Sequence, residues 1–227
     1  MPNQILEGLP GPQRQRLMAV CEPVDLTLSA VLGEPTQALE HVYFPVEGYV
    51  SLIALVQGSP GIEVGLVGSE GMYGVQLALG VTASPYHALV QGAGTAYRVR
   101  AKDFQSALAA APRARVIVDR YISVLMAQSA SSAACLRFHD VLPRLARWLL
   151  MTQDRAHADN FTVTQEFLGY MLGIRRVSVT QAAGVLQRAG TIRYVRGHIE
   201  VHDRAGLEAA ACTCYRTELN AYAQALG

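Results

Sequence analysis

Arg175 and Arg176 stand side by side just after Gly173, inside the stretch "TQEFLGYMLGIRRVSVTQAAGVLQRAG" that runs from Thr164 to Gly190. A guanidinium can donate two parallel hydrogen bonds to a guanine edge, a glutamine amide pairs in the same way with adenine, and a small apolar side chain packs on a thymine methyl. Arg176, Gln181 and Val177 are those three side-chain types, and Thr180 shares their helical face. Arg175, Ser178 and Thr164 fall near helix N-termini, where free N–H groups and the helix dipole favour phosphate, so they suit holding a nucleic-acid backbone rather than reading it.

Those side chains reach a duplex only if two short helices hold them. Thr162 or Thr164 supplies an N-cap for a helix whose apolar positions Leu168, Met171 and Leu172 face inward. Gly173 ends that helix in a conformation with positive φ, which glycine takes at little cost. Ile174, Val179, Ala182, Ala183 and Leu186 are the inward stripe of a second helix closed by Gly190, and Gly184 inside it costs about 1 kcal/mol relative to alanine. Gly169, four residues before the turn, leaves room for the two helices to cross. This is the spacing of a helix-turn-helix, with the Arg176 face outward and its N-terminal end first into the major groove. Downstream, "TIRYVRGHIEVHD" alternates on both sides of Arg196-Gly197, a hairpin that completes a winged helix and puts Arg196 at the wing tip beside phosphate. A solvated surface would also hold an arginine pair; the wing favours nucleic acid.

Charge points the same way. The chain has 227 residues and a formal net charge of +1, yet residues 1–97 carry two cations against eight acids, so the remainder carries +7. All but one of the later cations are arginine, the side chain suited to bidentate recognition of phosphate and guanine.

The rest of the chain divides by texture. From His41 to Phe104, short β-like runs alternate with glycine turns, which predicts a small antiparallel barrel or jelly roll after a helix or two in the first 40 residues. After Pro112, Ile117, Tyr121, Val124, Gln128, Ser131, Cys135 and Phe138 recur at alternating steps of four and three, a seam of coiled-coil type. A second copy of the helix or the chain's own barrel could cover that seam, and its length favours the second copy. A further helix is expected from Asp140 to about Ala156, with Leu142, Leu145, Trp148, Leu149 and Thr152 inward and Pro143 in its first turn.

Several functions are disfavoured. No apolar run reaches the roughly 18 residues of a membrane span, and Met1–Gly11 lacks the pattern of a secretory leader, so a cytoplasmic protein is expected. Cys21, Cys135, Cys212 and Cys214 read as reduced thiols. Only one residue separates Cys212 from Cys214, against the two to four of a zinc knuckle, and the spacing predicts no metal site. His198 and His202 lie at an even spacing that a hairpin surface explains. There is no Gly-rich phosphate loop, nucleophile elbow or tight His/Asp/Glu constellation, so no enzyme is expected.

The order of barrel, long helix and winged helix resembles the Crp/Fnr family of bacterial transcription regulators over about Gly33 to Asp203, most specifically in "FHDVLPRLARWLL" and the helix-turn-helix stretch that follows. The resemblance implies an α+β fold: a cyclic-nucleotide-binding-like jelly-roll sensor at 1–112, a dimerisation helix at 113–139 and a winged helix-turn-helix at 140–227. It implies a homodimer on a pseudo-palindromic operator in double-stranded DNA, with RNA polymerase as a further partner and no membrane. Arg176 matches the family's guanine-contacting arginine. Val177 stands where many members have glutamate and Gln181 where some have arginine, so a different operator is expected.

The effector site departs further from the family. In the cassette that binds cyclic nucleotide, Val75 follows Gly74 where members have glutamate, and Tyr86-His87 takes the place of the phosphate-binding pair. No lysine or arginine occurs from Gly74 to Gly92, which disfavours cyclic AMP. Ser129 matches a hydroxyl that reaches the base, but Ala130 has no counterpart role. An iron-sulfur cluster is disfavoured because Cys21 is the lone N-terminal cysteine. Haem is disfavoured because only Pro2 and His87 match its ligands and a lone barrel histidine is more simply hydrogen-bonded. The effector is therefore unknown. The second reading is a sensor or adaptor whose winged helix docks a protein rather than DNA.

Overall fold

Glycine turns cut the first hundred residues into short strands, which pair antiparallel in two sheets. The computed structural model describes residues 3–58 and 61–226, so Pro2, considered above as a haem ligand, lies outside the described residues. Helices α1 (Gln4–Glu7) and α2 (Gly11–Met18) precede β1 (Glu22–Leu26), β2 (Val31–Gly33), β3 (His41–Pro45), β4 (Tyr49–Ala54) and β5 (Ile62–Val67). A 3-10 turn at Val75–Leu79 leads into β6 (His87–Gly92) and β7 (Gly94–Arg100). One sheet has the order β1-β7-β3 and the other β2-β6-β4-β5, so the short β6–β7 connection steps from sheet to sheet as in a jelly roll.

β4 reads "YVSLIA" with no polar alternation, because both of its faces are covered. Val50 and Leu52 point into the barrel with Val42, Phe44, Val67 and Val90. Tyr49 and Ile53 point the other way, joining Leu66 of β5 against Trp148, Leu149 and Leu172. The two-residue period of a strand thus assigns neighbouring residues of one element to two different cores.

α3 (Ala101–Ala109) and α4 (Pro112–Phe138) follow the barrel, with proline in the first turn of α4, where its missing N–H costs nothing. The expected dimer seam is covered within the single chain instead. Tyr121, Val124, Gln128 and Cys135 are each 2 % exposed or less within the single chain. Tyr121 and Val124 complete the barrel core, and Gln128 donates to Glu218 of the C-terminal helix. Ile117 and Ser131 are half-buried, and only Phe138, 76 % exposed, is free. The spacing marked a buried face, but the cover is the protein's own barrel and C-terminal helix. The outward face of α4 instead carries Met126, Ala127, Ala130, Ala134 and Phe138.

α5 (Val141–Ala156) begins one residue after Asp140, and β8 (Asn160–Thr162), α6 (Gln165–Leu172), α7 (Arg176–Arg188), β9 (Ile192–Val195) and β10 (His198–Val201) follow. β8 adds a strand to the wing, giving the order β8-β10-β9. Leu145, Trp148, Leu149 and Thr152 of α5 are buried as expected, and Leu142 is half-buried. α8 (Arg204–Ala210) and α9 (Cys214–Leu226) lie beyond the reach of the sequence reading; α9 packs along α4. Glu218 of α9, 4 % exposed, lies 3.0 Å from Arg147 and 3.4 Å from Arg155, and Arg155 also meets Glu70 at 2.8 Å. Among the described residues no helix is long and apolar enough to cross a membrane.

Candidate nucleic-acid interface

Thr164 caps α6: its hydroxyl oxygen accepts from the Phe167 N–H at 3.1 Å. Gly173 ends the helix at φ 61°, and the Ile174 N–H returns to the Gly169 carbonyl at 2.9 Å, the wrapped C-terminus that a left-handed residue permits. A Cβ on Gly169 would sit 3.0 Å from the Ile174 carbonyl oxygen, so the missing side chain is what lets the turn fold back on α6. Arg144 from α5 donates to the Leu172 carbonyl, satisfying an acceptor that the helix end leaves open.

Arg175 is the N-cap of α7 and Arg176 its first residue. Val179, Ala182, Ala183 and Leu186 are buried, which turns the opposite face outward. On that face Arg175, Arg176, Val177, Thr180 and Gln181 are exposed, with Val177 58 % accessible, and Ser178 is half-buried. Thr180 is tied into the scaffold, its hydroxyl 2.6 Å from Gln165 Oε1 and 3.1 Å from the Arg176 carbonyl. It therefore joins α6 to α7, a link the sequence did not signal because Gln165 lies outside the inward stripe.

The wing comes back beside these residues. Arg196 and Gly197 form the β9–β10 turn at φ 50° and 85°, both left-handed, which matches the twist of a two-residue hairpin. Tyr194 of β9 donates its phenol proton to the Val163 carbonyl at 2.7 Å, and its N–H reaches Gln187 Oε1 at 2.9 Å, fastening the wing to α7 and to the segment that leads into α6. The result is an open groove of about 430 Å³ lined by Thr164, Gln165, Glu166, Arg176, Tyr194, Arg196 and Gly197. Two guanidinium groups and a helix N-terminus face one space, as binding to an anionic backbone requires. Glu166 is the acid there, and it accepts from the Tyr170 hydroxyl at 2.9 Å.

This module rests on the barrel. Met171 of α6 places its sulfur 3.8 Å from Ser51 Oγ and 3.2 Å from Gln91 Nε2. Between them lies Glu63 of β5, which accepts from Ser51 at 2.6 Å and from the Trp148 indole N–H at 2.9 Å. Burial pushes the Glu63 carboxyl up to about 7, against the opposing pull of the Ser51 and Trp148 hydrogen bonds and of Arg155 and Arg147.

The residues expected to form an effector pocket come from three elements, the 3-10 turn, β6 and α4. Gly74 and buried Val75 open the 3-10 turn, Tyr86 and His87 sit at the start of β6, and Ser129 is half-buried on α4. His87 Nδ1 lies 2.8 Å from Glu34 Oε2, so an acid already occupies one side of the imidazole. The expectation of no metal site rested on the spacing of Cys212 and Cys214 alone; the fold brings Cys135 and His139 beside them. The overlooked signal was a cysteine and a histidine four apart at the end of a helix, which places both on one face.

Residues 143–210 match the model of the Crp-like helix-turn-helix domain. No curated protein matches the chain. Solved structures do, at low identity. FixK2 from Bradyrhizobium japonicum is 15 % identical with a TM-score of 0.72, the match covering 85 % of this chain and 98 % of that one. The c-di-GMP responsive global regulator CLP of Xanthomonas campestris is 18 % identical with a TM-score of 0.68, covering 85 % and 99 %. A CRP-family transcriptional regulator from Thermus thermophilus is 23 % identical with a TM-score of 0.65, covering 83 % and 96 %.

Proposed function

We propose that this protein is a homodimeric, sequence-specific DNA-binding transcription regulator and not an enzyme, because residues 143–210 match the model of the Crp-like helix-turn-helix domain and the chain is similar in fold to transcriptional regulators of the Crp/Fnr family. One observation carries the reading: Arg176 is exposed at the N-terminal end of α7, in the same groove as Thr164 and Arg196, while the opposite face of the helix is sealed. Arg176, Val177 and Gln181 read bases, and Arg175, Ser178, Thr164 and Arg196 hold phosphate. Thr180 keeps the two helices in register.

Residues 1–112 act as sensor, 113–139 as dimer helix and 140–227 as DNA-binding unit. The dimer forms through the outward face of α4, where Ser123, Ala127, Ala130 and Ala134 make a stripe of small residues flanked by Met126 and Phe138. Small side chains let two helices approach closely, and a twofold axis along that stripe presents two α7 helices to one pseudo-palindrome. The effector, where one binds, is not cyclic AMP, because the stretch that would meet its phosphate offers the His87–Glu34 pair rather than a lysine or arginine. The protein acts in the cytoplasm, with RNA polymerase as the further partner of a regulator at a promoter.

Selection of genomic fragments at several salt concentrations tests the reading. Particular sites should be enriched, and affinity should fall steeply as salt rises. Arg176→Ala should leave thermal stability unchanged and cost about 1–3 kcal/mol of discrimination at one base pair. Equal retention of all fragments, or retention of a protein in place of DNA, would refute the proposal.

A further inference from the structure

The end of α4 meets the segment between α8 and α9 at a third small cluster, separate from both large cores and built of Cys135, Cys212 and Cys214. These cysteines are 2 %, 7 % and 8 % exposed. His139 joins them as the C-cap of α4, its N–H returning to the Cys135 carbonyl at 3.1 Å. Cys135 Sγ lies 3.5 Å from Cys212 Sγ, and Cys214 Sγ lies 3.6 Å from His139 Nδ1. All four donor atoms fall within 4.8 Å of one another.

We propose that Cys135, His139, Cys212 and Cys214 form a closed, four-coordinate zinc site that staples the hinge between α4 and α5 to the start of α9. Three sulfurs and one imidazole nitrogen are a recurrent structural zinc set, whereas magnesium and calcium take oxygen. A tetrahedral ion with Zn–S near 2.3 Å and Zn–N near 2.0–2.1 Å sets its donors about 3.8 Å apart for a sulfur pair and about 3.6 Å for sulfur and nitrogen. The Cys214–His139 contact at 3.6 Å already matches its edge, and the Cys135–Cys212 pair at 3.5 Å needs only a slight opening. An iron-sulfur cluster would spread its ligands wider, because several irons and sulfides would stand between them.

The surroundings suit the charge. Three thiolates with one Zn²⁺ leave an excess of one negative charge, and an ion so buried calls for a compensating cation. Arg147 and Arg144 both lie within electrostatic reach of Cys135 and Cys212. Arg147 spends its Nη2 on Glu218, while its buried Nε meets no hydrogen-bond partner among the described residues. The backbone holds the second pair of ligands in place: the Cys212 N–H reaches the Pro143 carbonyl at 3.3 Å, and the Tyr215 N–H returns to the Cys212 carbonyl at 3.1 Å. With all four positions filled by protein the ion has no open site for chemistry, so its role is to fix α5, and the helix-turn-helix beyond it, against α4 and α9. The site does not depend on whether the winged helix reads DNA.

Metal analysis of full-length protein purified with reductant and without chelator tests the proposal. One zinc per chain is expected, retained through gel filtration. Stripping the zinc and adding Co²⁺ should give thiolate-to-cobalt charge transfer in the near ultraviolet and the intense visible bands of tetrahedral cobalt, which report the ligand set on the unmodified chain. Cys212→Ser and His139→Ala should weaken zinc binding by more than the roughly 10–100-fold that loss of an outer-shell partner costs, while Cys21→Ser should bind as the parent does. Four free thiols with no retained zinc, octahedral cobalt spectra, or a Cys135–Cys212 disulfide in freshly purified reduced protein would each overturn it.

Discussion

Replacing Glu63 with glutamine should remove a pH dependence that this one carboxyl builds into the contact between the barrel and the DNA-binding module. In the folded chain the group titrates near 7, against an ordinary value of 4.5. Between those two values the folded protein holds a proton that the unfolded chain has released, so the folded state binds more protons and stability must fall as pH rises through the window. A tenfold difference in proton affinity is worth about 1.4 kcal/mol, so the full gap is about 3 kcal/mol. The residue as a whole is only half-buried, and partial access of water brings the expected loss down to about 2 kcal/mol. The neutral acid fits the site: one oxygen accepts from Trp148, and a proton on the other reverses the 2.6 Å hydrogen bond that the carboxylate accepts from Ser51, so that Ser51 Oγ becomes the acceptor. Glutamine offers the same acceptor and donor without a charge. The charged groups that act on Glu63 are Arg155 and Arg147, both unchanged in the variant. Trp148, the chain's single tryptophan, reports directly on the contact. Urea titrations followed by its emission, from below pH 5 to above pH 8, should show the parent losing about 2 kcal/mol relative to Glu63→Gln, with the variant the more stable above pH 7. Parallel stability curves for the two proteins would refute the reasoning.

Glu218→Ala should cost about 3–5 kcal/mol in denaturant titrations, since it leaves Arg147 and Arg155 buried without their shared carboxylate. Gly169→Ala sets a methyl 3.0 Å from the Ile174 carbonyl; the turn must shift, at a cost of about 1–3 kcal/mol in unfolding and a drop in operator affinity read by gel shift. Arg196→Asn keeps a residue that tolerates the left-handed turn, so stability should hold while affinity falls evenly across sequences and the salt slope drops by about one.

The helix-turn-helix was legible because its signals are local: a cap at Thr164, a left-handed glycine at 173, and Val179 and Leu186 at helical spacing. The wing was legible for the same reason, although β8 was hidden because three residues carry too little pattern. The limits arose where one pattern serves two geometries. The seam through Tyr121, Val124 and Gln128 records that a face is buried, and spacing carries nothing about whether a partner or the chain's own barrel buries it. Likewise "YVSLIA" fits a strand covered on both sides or a short buried helix, and only the arrival of α5 and α6 decides. The Cys135–His139 pair and the Cys212–Cys214 pair lie over seventy positions apart in sequence, and no local rule brings them together.

Because β4 and β5 give one side to each hydrophobic interior, they act as a party wall between two rooms. Severing the chain at the hinge would not free an intact sensor: it would unroof Tyr49, Ile53 and Leu66 to water and take away α9 as well. Such a fragment should be sticky and poorly soluble, and the whole chain should melt in a single step despite its two interiors.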